Sequence, residues 1–159
     1  MKRTVMKTLT TFVFALIFLS PSARASAQHL PASSIPTADL IQPAELAANL
    51  KNASFPKPLI LQIGFHNLYA QAHIPDSEYI GAAKEEAGLK QLRDRVAKLS
   101  KDTAILIYCG CCPWSHCPNV AAAYGALHAL GFTQVKVLYI AENFGDNWVN
   151  QGYPVAKGE

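Results

Sequence analysis

The chain has 159 residues, of which 50% are hydrophobic and 16% are charged, and its formal net charge is +3. This length suits one domain with one hydrophobic core. The positive charge comes from the first 25 residues, which hold four of the 14 Lys and Arg residues and none of the 11 Asp and Glu residues. The remaining ten basic and eleven acidic side chains give −1 and form no basic run of the kind that binds nucleic acid. We therefore expect no nucleic-acid partner.

The amino-terminal segment has the pattern of a secretory signal peptide. Three basic residues precede the apolar run LTTFVFALIFL, and small residues follow at the spacing of a cleavage site. The apolar run is shorter than the roughly 20 residues that span a bilayer. We therefore predict a signal peptide over residues 1–25, with cleavage after Ala25 or Ala27. This predicts a periplasmic or secreted protein without stable membrane association.

A short lead-in precedes the predicted domain. Residues 26–37, SAQHLPASSIPT, are polar and dotted with proline, which predicts a flexible segment. The domain is predicted over residues 38–157. It opens with a short strand end and then a helix in DLIQPAELAANLKN, with Pro43 at the first helical position. Leu46 and Leu50 lie one helical turn apart and are expected to face the core.

The middle of the chain alternates apolar runs with a helical pattern. PLILQIGF (58–65) and DTAILIYC (102–109) are typical of strands buried on both faces, and Cys109 ends the second. Turn chemistry surrounds Pro75 and Asp76. The segment EAGLKQLRDRVAKLSKD predicts a helix with one apolar stripe and charged residues on its other faces. The stripe consists of Leu89, Leu92, Val96 and Leu99.

A further helix and strand follow. PNVAAAYGALHALGF predicts a helix with Pro118 at its first position, Cys117 as its N-cap and Gly131 at its end. TQVKVLYI predicts a third strand. Strands and helices that alternate with short connections predict a single α/β domain, with a parallel sheet covered by helices on both faces. Ligands of such sheets bind beyond the carboxyl ends of the strands, which is where Cys109 stands.

All four cysteines lie in the loop CGCCPWSHC, residues 109–117. The free N–H groups and dipole of the following helix point into this loop, which stabilises a thiolate or a bound anion. An exported protein also permits disulfides. A bond between the adjacent Cys111 and Cys112 would be strained, so that either is expected to pair with Cys117 or Cys109.

The loop also offers soft ligands for copper(I) or zinc. The candidate ligands, in addition to Cys109, are Cys111, Cys112, His116 and Cys117. Their spacing is not that of a usual zinc finger, and no resident cofactor is expected.

Several segments, in order, resemble the rhodanese-like domain, which is the sulfurtransferase module. They are AHIPDSEYIGA, ILIYC as the strand that leads to the catalytic cysteine, AAAYGALHALGF as the helix after it, and VKVLYI with the later Trp and GYPV. Together they span residues 38–156. The resemblance implies that Cys109 carries a persulfide, with sulfur taken from a donor such as thiosulfate and passed to a thiol or to cyanide. The expected partners are a small sulfur donor and a thiol acceptor, for which another exported thiol protein is a candidate.

The resemblance and the loop chemistry together suggest roles for the loop residues. Cys109 is the expected nucleophile. The other candidate catalytic residues are Cys111, Cys112 and Cys117, as resolving or shaping thiols, and His116, as a residue that tunes a thiolate. A neighbouring thiol that resolves a Cys109 persulfide would release sulfide and leave a disulfide. The candidate substrate-binding residues are Gly110, Trp114, Ser115 and His66.

The loop departs from the family in one respect. Family members usually have a shorter loop, often with an arginine, whereas this loop contains no Arg or Lys. The related phosphatases use that arginine to hold phosphate, so phosphatase activity is not expected. Lys84 and His116 are candidates to bind an anionic donor in place of this arginine. The alternatives to a sulfurtransferase are a periplasmic thiol–disulfide or metal-binding protein on the same fold and a non-catalytic module.

Overall fold

The computed structural model describes residues 32–158. The predicted signal peptide, its cleavage sites and residues 26–31 of the lead-in lie outside the described residues. Among residues 32–158, no helix has both the length and the apolar character that a membrane crossing requires.

A five-stranded parallel sheet forms the centre of the domain. Its strands are β1 (Leu40–Ile41), β2 (Leu59–Gln62), β3 (Glu78–Tyr79), β4 (Ile105–Tyr108) and β5 (Val135–Leu138). They lie in the order β1-β5-β4-β2-β3, and every neighbouring pair is parallel. The predicted parallel α/β fold is confirmed.

Four helices connect the strands. They are α1 (Pro43–Lys51), α2 (His66–Gln71), α3 (Glu86–Val96) and α4 (Pro118–Ala129). Pro43 and Pro118 stand at the first helical positions, as predicted, because proline has no N–H and the first helical N–H has no partner within the helix. Helix α2 was not predicted, since its six residues are too few to show a helical period.

Helices cover both faces of the sheet, as predicted. Alternate side chains of a strand point to opposite faces. In β4, Ile105 and Ile107 therefore join a core with helices α3 and α4. Leu106 and Tyr108 join a second core with helix α1 and the fully buried Trp148.

Part of the predicted flexible lead-in is anchored to the domain. Ala32 and Ile35 are only 2% and 6% exposed, and Ile35 belongs to the core on the α3–α4 face. Short 3-10 turns span Ala32–Ser34 and Thr37–Asp39. Over residues 32–37 the structure therefore differs from the prediction, because a polar, proline-rich composition does not show that two of its apolar side chains are buried.

Strands β2 and β4 are neighbours from which the chain departs in opposite directions. It leaves β2 through α2 toward β3 at one edge, and it leaves β4 through α4 toward β5 on the other side. Open parallel sheets place their ligand sites at such a switch point, beyond the carboxyl ends of the strands. The loops that meet there begin with Cys109 after β4 and contain Gly64 after β2.

Candidate active site in the four-cysteine loop

Cys109 lies directly after β4 and is only 2% exposed. The loop after β2 leaves room for its sulfur, because Gly64 has no side chain. A Cβ atom added at Gly64 would lie 2.9 Å from Sγ of Cys109, closer than real Cβ contacts. The position of the thiol thus depends on both strands of the switch point.

Gly110 turns the chain so that the next cysteine returns toward Cys109. Its φ is +74°, in the region that favours glycine, and an added Cβ would lie 2.6 Å from Cβ of Phe144. The backbone N–H of Phe144 donates to the carbonyl of Gly110 at 3.0 Å and holds Phe144 against this turn. As a result, Sγ of Cys109 and Sγ of Cys111 lie 3.1 Å apart.

The four thiols form a connected group of free cysteines. The Cys109 thiol donates to the sulfur of Cys111, and Sγ of Cys112 lies 3.3 Å from the same sulfur. The sulfurs of Cys109, Cys111 and Cys117 all lie within 4.8 Å of one another. Within residues 32–158, these three thiols form a group close enough to hold a soft metal ion.

Asn119, in the first turn of α4, holds the sulfurs in place. It is 1% exposed, and its Nδ2 amide donates to Sγ of Cys109 at 3.4 Å and to Sγ of Cys111 at 3.7 Å. Its Oδ1 accepts from the backbone N–H of Lys84 at 2.9 Å. Because this contact requires an acceptor, it fixes the orientation of the amide and leaves the N–H groups facing the sulfurs.

The contacts among the sulfurs favour one thiolate. Hydrogen bonding from Cys109, with further contacts from Cys117, Cys112 and Asn119, holds the pKa of Cys111 well below its usual range. The same contact raises the pKa of Cys109, its donor. Contact with Cys109 raises the pKa of Cys117, and burial raises that of Cys112. The group therefore favours a negative charge on Cys111 surrounded by neutral thiols.

Two pockets open onto Cys111. The first, called here the Lys84 pocket, has a volume of about 220 Å³ and is lined by Phe65, Lys84, Cys111, Cys112, Pro118 and Asn119. The second, called here the Phe144 pocket, has a volume of about 460 Å³. Its lining includes Gly110, Cys111, Phe144, Leu68, Val149 and Lys157. Cys109 lines neither of these two pockets.

Residues 42–139 match the family model of the rhodanese-like domain. The chain belongs to the rhodanese-like domain family. This membership confirms the resemblance that the sequence segments suggested.

Solved structures share the fold of this rhodanese-like domain at low sequence identity. The BH2092 protein from Bacillus halodurans is 23% identical, with a TM-score of 0.55 over 74% of this chain and 75% of that chain. The Alr3790 protein from Anabaena sp. is 20% identical, with a TM-score of 0.56 over 74% of this chain and 92% of that chain. A rhodanese-like domain protein from Staphylococcus aureus is 17% identical, with a TM-score of 0.50 over 75% of this chain and 99% of that chain. No match was found among curated proteins.

In this rhodanese-like domain, two of the predicted loop residues lie at the surface and away from the thiols. His116 and Ser115 are exposed, and the Ser115 hydroxyl lies 2.9 Å from Nδ1 of His116. Trp114 instead anchors the loop, because its ring packs against Tyr139 at 5.1 Å and its N–H donates to the carbonyl of Ala141 at 2.9 Å. The predicted metal ligands included His116, but His116 does not belong to the group of three close thiols.

His66 begins helix α2, and its ring meets the ring of Tyr79 edge to face, with centroids 4.9 Å apart. The preceding residue, Phe65, lines the Lys84 pocket, and its ring lies 5.9 Å from Nζ of Lys84. At the end of β2 the structure therefore brings Phe65 to the site.

Besides Phe65, the residues of the site that were not predicted include Asn119, Gly64 and Phe144. Asn119 had a signal in the sequence, because it is a polar residue in the first turn of an otherwise apolar helix segment. Gly64 and Phe144 had none, since each reaches the cysteine loop from a distant part of the chain.

Proposed function

We propose that this rhodanese-like domain is an exported sulfurtransferase that carries sulfane sulfur as a persulfide on Cys109. The sulfur passes from a donor such as thiosulfate to a thiol acceptor. The observation that carries the proposal is the position of Cys109 at the carboxyl end of β4. There its sulfur lies 3.1 Å from Sγ of Cys111 and 3.4 Å from the Asn119 amide. Of these two contacts, the Asn119 amide is the donor that faces the Cys109 sulfur and would stabilise a persulfide anion there.

The Lys84 pocket supports a small anionic donor. It contains one cationic side chain and, at its base, Asn119 and the beginning of helix α4. Helix amino termini favour anions through their unpaired N–H groups and the helix dipole. These groups stand in for the arginine that the loop does not contain.

Intact mass spectrometry of protein purified from the periplasm tests the proposal. The mass before treatment reports cleavage after Ala25 or Ala27. After thiosulfate, we expect either a sulfur adduct that reductant removes or the thiol oxidation that follows such an adduct, and neither change in Cys109→Ser. A wild-type protein that gains no sulfur and undergoes no thiol oxidation would overturn the proposal and leave a non-catalytic module on the same fold.

A second candidate function is copper(I) binding, which the three close thiols favour. Soft thiolates select copper(I) and zinc, and zinc in structural sites takes four ligands, whereas this group has three. Titration of the reduced protein with copper(I) against a competing chelator tests it. We expect one ion per chain, weakened by Cys117→Ser and unaffected by His116→Ala. Equal affinity in the wild type and Cys117→Ser would exclude this ligand set.

A further inference from the structure

We propose that Cys111 resolves the Cys109 persulfide, so that the domain releases sulfide and completes the step as a Cys109–Cys111 disulfide. The inference rests on the proposed function, because it begins from a persulfide on Cys109. It adds an activity, the reduction of sulfane sulfur to sulfide, and a class of partner, an external dithiol.

The sulfurs of Cys109 and Cys111 are in direct hydrogen-bond contact. Their Sγ atoms lie 3.1 Å apart, so that they must approach by only about 1 Å to reach the roughly 2.05 Å of a disulfide. The left-handed turn at Gly110 produces this approach, and Phe144 backs that turn. The Asn119 amide faces both sulfurs, at 3.4 and 3.7 Å, and keeps them on the same side of the loop.

The other two thiols are less suited to resolve the persulfide. Cys112 contacts Cys111 at 3.3 Å, so that the sulfur of Cys111 is the first sulfur it meets. Cys117 is 5% exposed, belongs to the core on the α3–α4 face and stands at the residue from which helix α4 begins. Its movement would disturb that helix, whereas the half-buried Cys111 lies in the loop.

The chemistry balances without an added oxidant. The proton of the Cys109 thiol leaves along its hydrogen bond to the Cys111 sulfur, and the Cys109 thiolate attacks the outer sulfur of thiosulfate, which leaves sulfite and Cys109–S–S⁻. The Cys111 sulfur then attacks the Cys109 sulfur of this persulfide. The outer sulfur departs with the Cys111 proton as HS⁻. Two thiols are oxidised to a disulfide, and the sulfane sulfur is reduced to sulfide.

The position of Cys111 identifies how the thiols are regenerated. Of the two disulfide sulfurs, Cys111 is the one that lines the Lys84 and Phe144 pockets. An external thiolate therefore attacks Cys111 and releases Cys109 as the leaving thiolate. A second thiol of the same reductant then resolves the mixed disulfide. A dithiol, such as an exported dithiol protein, is the class of partner that supplies both thiols.

A single turnover without external thiol tests the inference. The reduced protein, freed of reductant, is mixed with thiosulfate, and sulfide, intact mass and disulfide linkage are measured. For the wild type, we expect one sulfide per chain, a mass lower by two hydrogens and a linkage between Cys109 and Cys111. For Cys111→Ser, we expect a retained persulfide and no sulfide. The control Lys90→Met, on the exposed side of α3 beside Asp94, is expected to behave as the wild type.

The outcomes separate the two proposals. A wild-type protein that keeps a stable persulfide, or a linkage that joins Cys109 to Cys117, overturns the role of Cys111 and leaves the sulfurtransferase in place. Sulfide release by Cys111→Ser at the wild-type level also overturns the role of Cys111 and leaves the sulfurtransferase in place. A wild type that forms neither adduct nor disulfide overturns both. If Cys111→Ser gains no sulfur at all, the disulfide mapped in the wild type decides the role of Cys111. A Cys109–Cys111 disulfide supports that role, and a Cys109–Cys117 disulfide overturns it.

Discussion

The amide of Asn119 donates to the sulfur of Cys109 at 3.4 Å, although the two residues belong to different elements on either side of the loop. Cys109 follows strand β4, and Asn119 lies in the first turn of helix α4. The other end of the same amide binds the backbone of Lys84 at 2.9 Å. One buried side chain thus joins the strand end, the helix and the segment before α3 at the site of the thiols.

Asn119→Leu should slow sulfur loading and weaken the fold. A hydrogen bond to a charged group contributes about 1.5–3 kcal/mol, so the loading rate should fall roughly 10- to 100-fold. The Lys84 N–H loses its acceptor, which should cost about 1–3 kcal/mol of unfolding free energy. Mass spectrometry against time and urea unfolding measure the two effects.

Asn119→Asp tests the amide donor alone. A carboxylate oxygen still accepts from Lys84 but donates nothing to the sulfurs and adds a negative charge beside them, so loading should be at least as slow as in Asn119→Leu. A normal loading rate in Asn119→Asp would show that the amide donor plays no part.

Gly64→Ala should crowd the Cys109 thiol. The new Cβ would lie 2.9 Å from that sulfur, and relief requires a backbone or side-chain shift that costs about 1–3 kcal/mol. We expect slower loading and a lower urea midpoint. The matched control is Gly125→Ala, in the interior of α4, where an added Cβ meets nothing within 4 Å. It should stabilise the protein by about 0.5–1 kcal/mol and leave loading unchanged.

Lys84→Met should weaken the use of an anionic donor. Loss of one partly exposed cation from the Lys84 pocket should raise KM for thiosulfate about fivefold, equivalent to about 1 kcal/mol. Steady-state kinetics with thiosulfate, a dianion, and with an organic persulfide, a monoanion, measure this, and the first donor should be affected more. Lys90→Met, on the exposed side of α3 beside Asp94, is the control. An unchanged KM in Lys84→Met would place the donor elsewhere.

The order in which the cysteines react with an alkylating reagent should follow their exposure. Cys111 and Cys112 are half-buried, whereas Cys109 and Cys117 are buried. Brief treatment of the reduced, folded protein with N-ethylmaleimide should therefore label the first two before the others. Tandem mass spectrometry of the loop peptide locates the label, and denatured protein, in which all four should react, is the reference. Labelling of Cys109 first would contradict the observed burial.

The ion pair between Glu78 and Arg95 should stabilise the protein in a pH-dependent way. Arg95 donates to both carboxylate oxygens of Glu78, at 2.5 and 2.8 Å, and these hydrogen bonds lower the pKa of Glu78. A lowered folded-state pKa contributes stability above the unfolded-state pKa, and this contribution is lost as the pH falls through the folded-state pKa. Glu78→Gln should therefore be less stable than the wild type at pH 7.

The difference in unfolding free energy between the two proteins should shrink as the solution is acidified below the ordinary glutamate range. Urea unfolding across that range measures it, with Glu142→Gln, at an exposed loop position, as the control. A constant difference from neutral to acidic pH would assign the effect of Glu78→Gln to packing.

The sequence by itself determined the architecture and the location of the site. The apolar runs before Gly64 and Cys109 are local signals for buried strands, and Pro43 and Pro118 mark helix starts, because proline lacks the N–H that would have no helical partner at that position. Parallel strands joined by helices then place Cys109 at the edge where such folds bind ligands. The predicted export signal stays a prediction, as do the roles of the individual thiols.

Only the tertiary structure decided how the site is assembled. Gly64 meets Cys109, Phe144 backs Gly110, and Asn119 binds the Lys84 backbone, because the adjacency of β2 and β4 brings separate loops together. The spacing of these residues in the sequence does not predict their contacts. It also misplaces a close neighbour such as His116, which the turn Trp114–His116 directs toward solvent while the sulfurs converge inside. Local patterns fix strands and helices, whereas the packing of those elements decides which side chains meet.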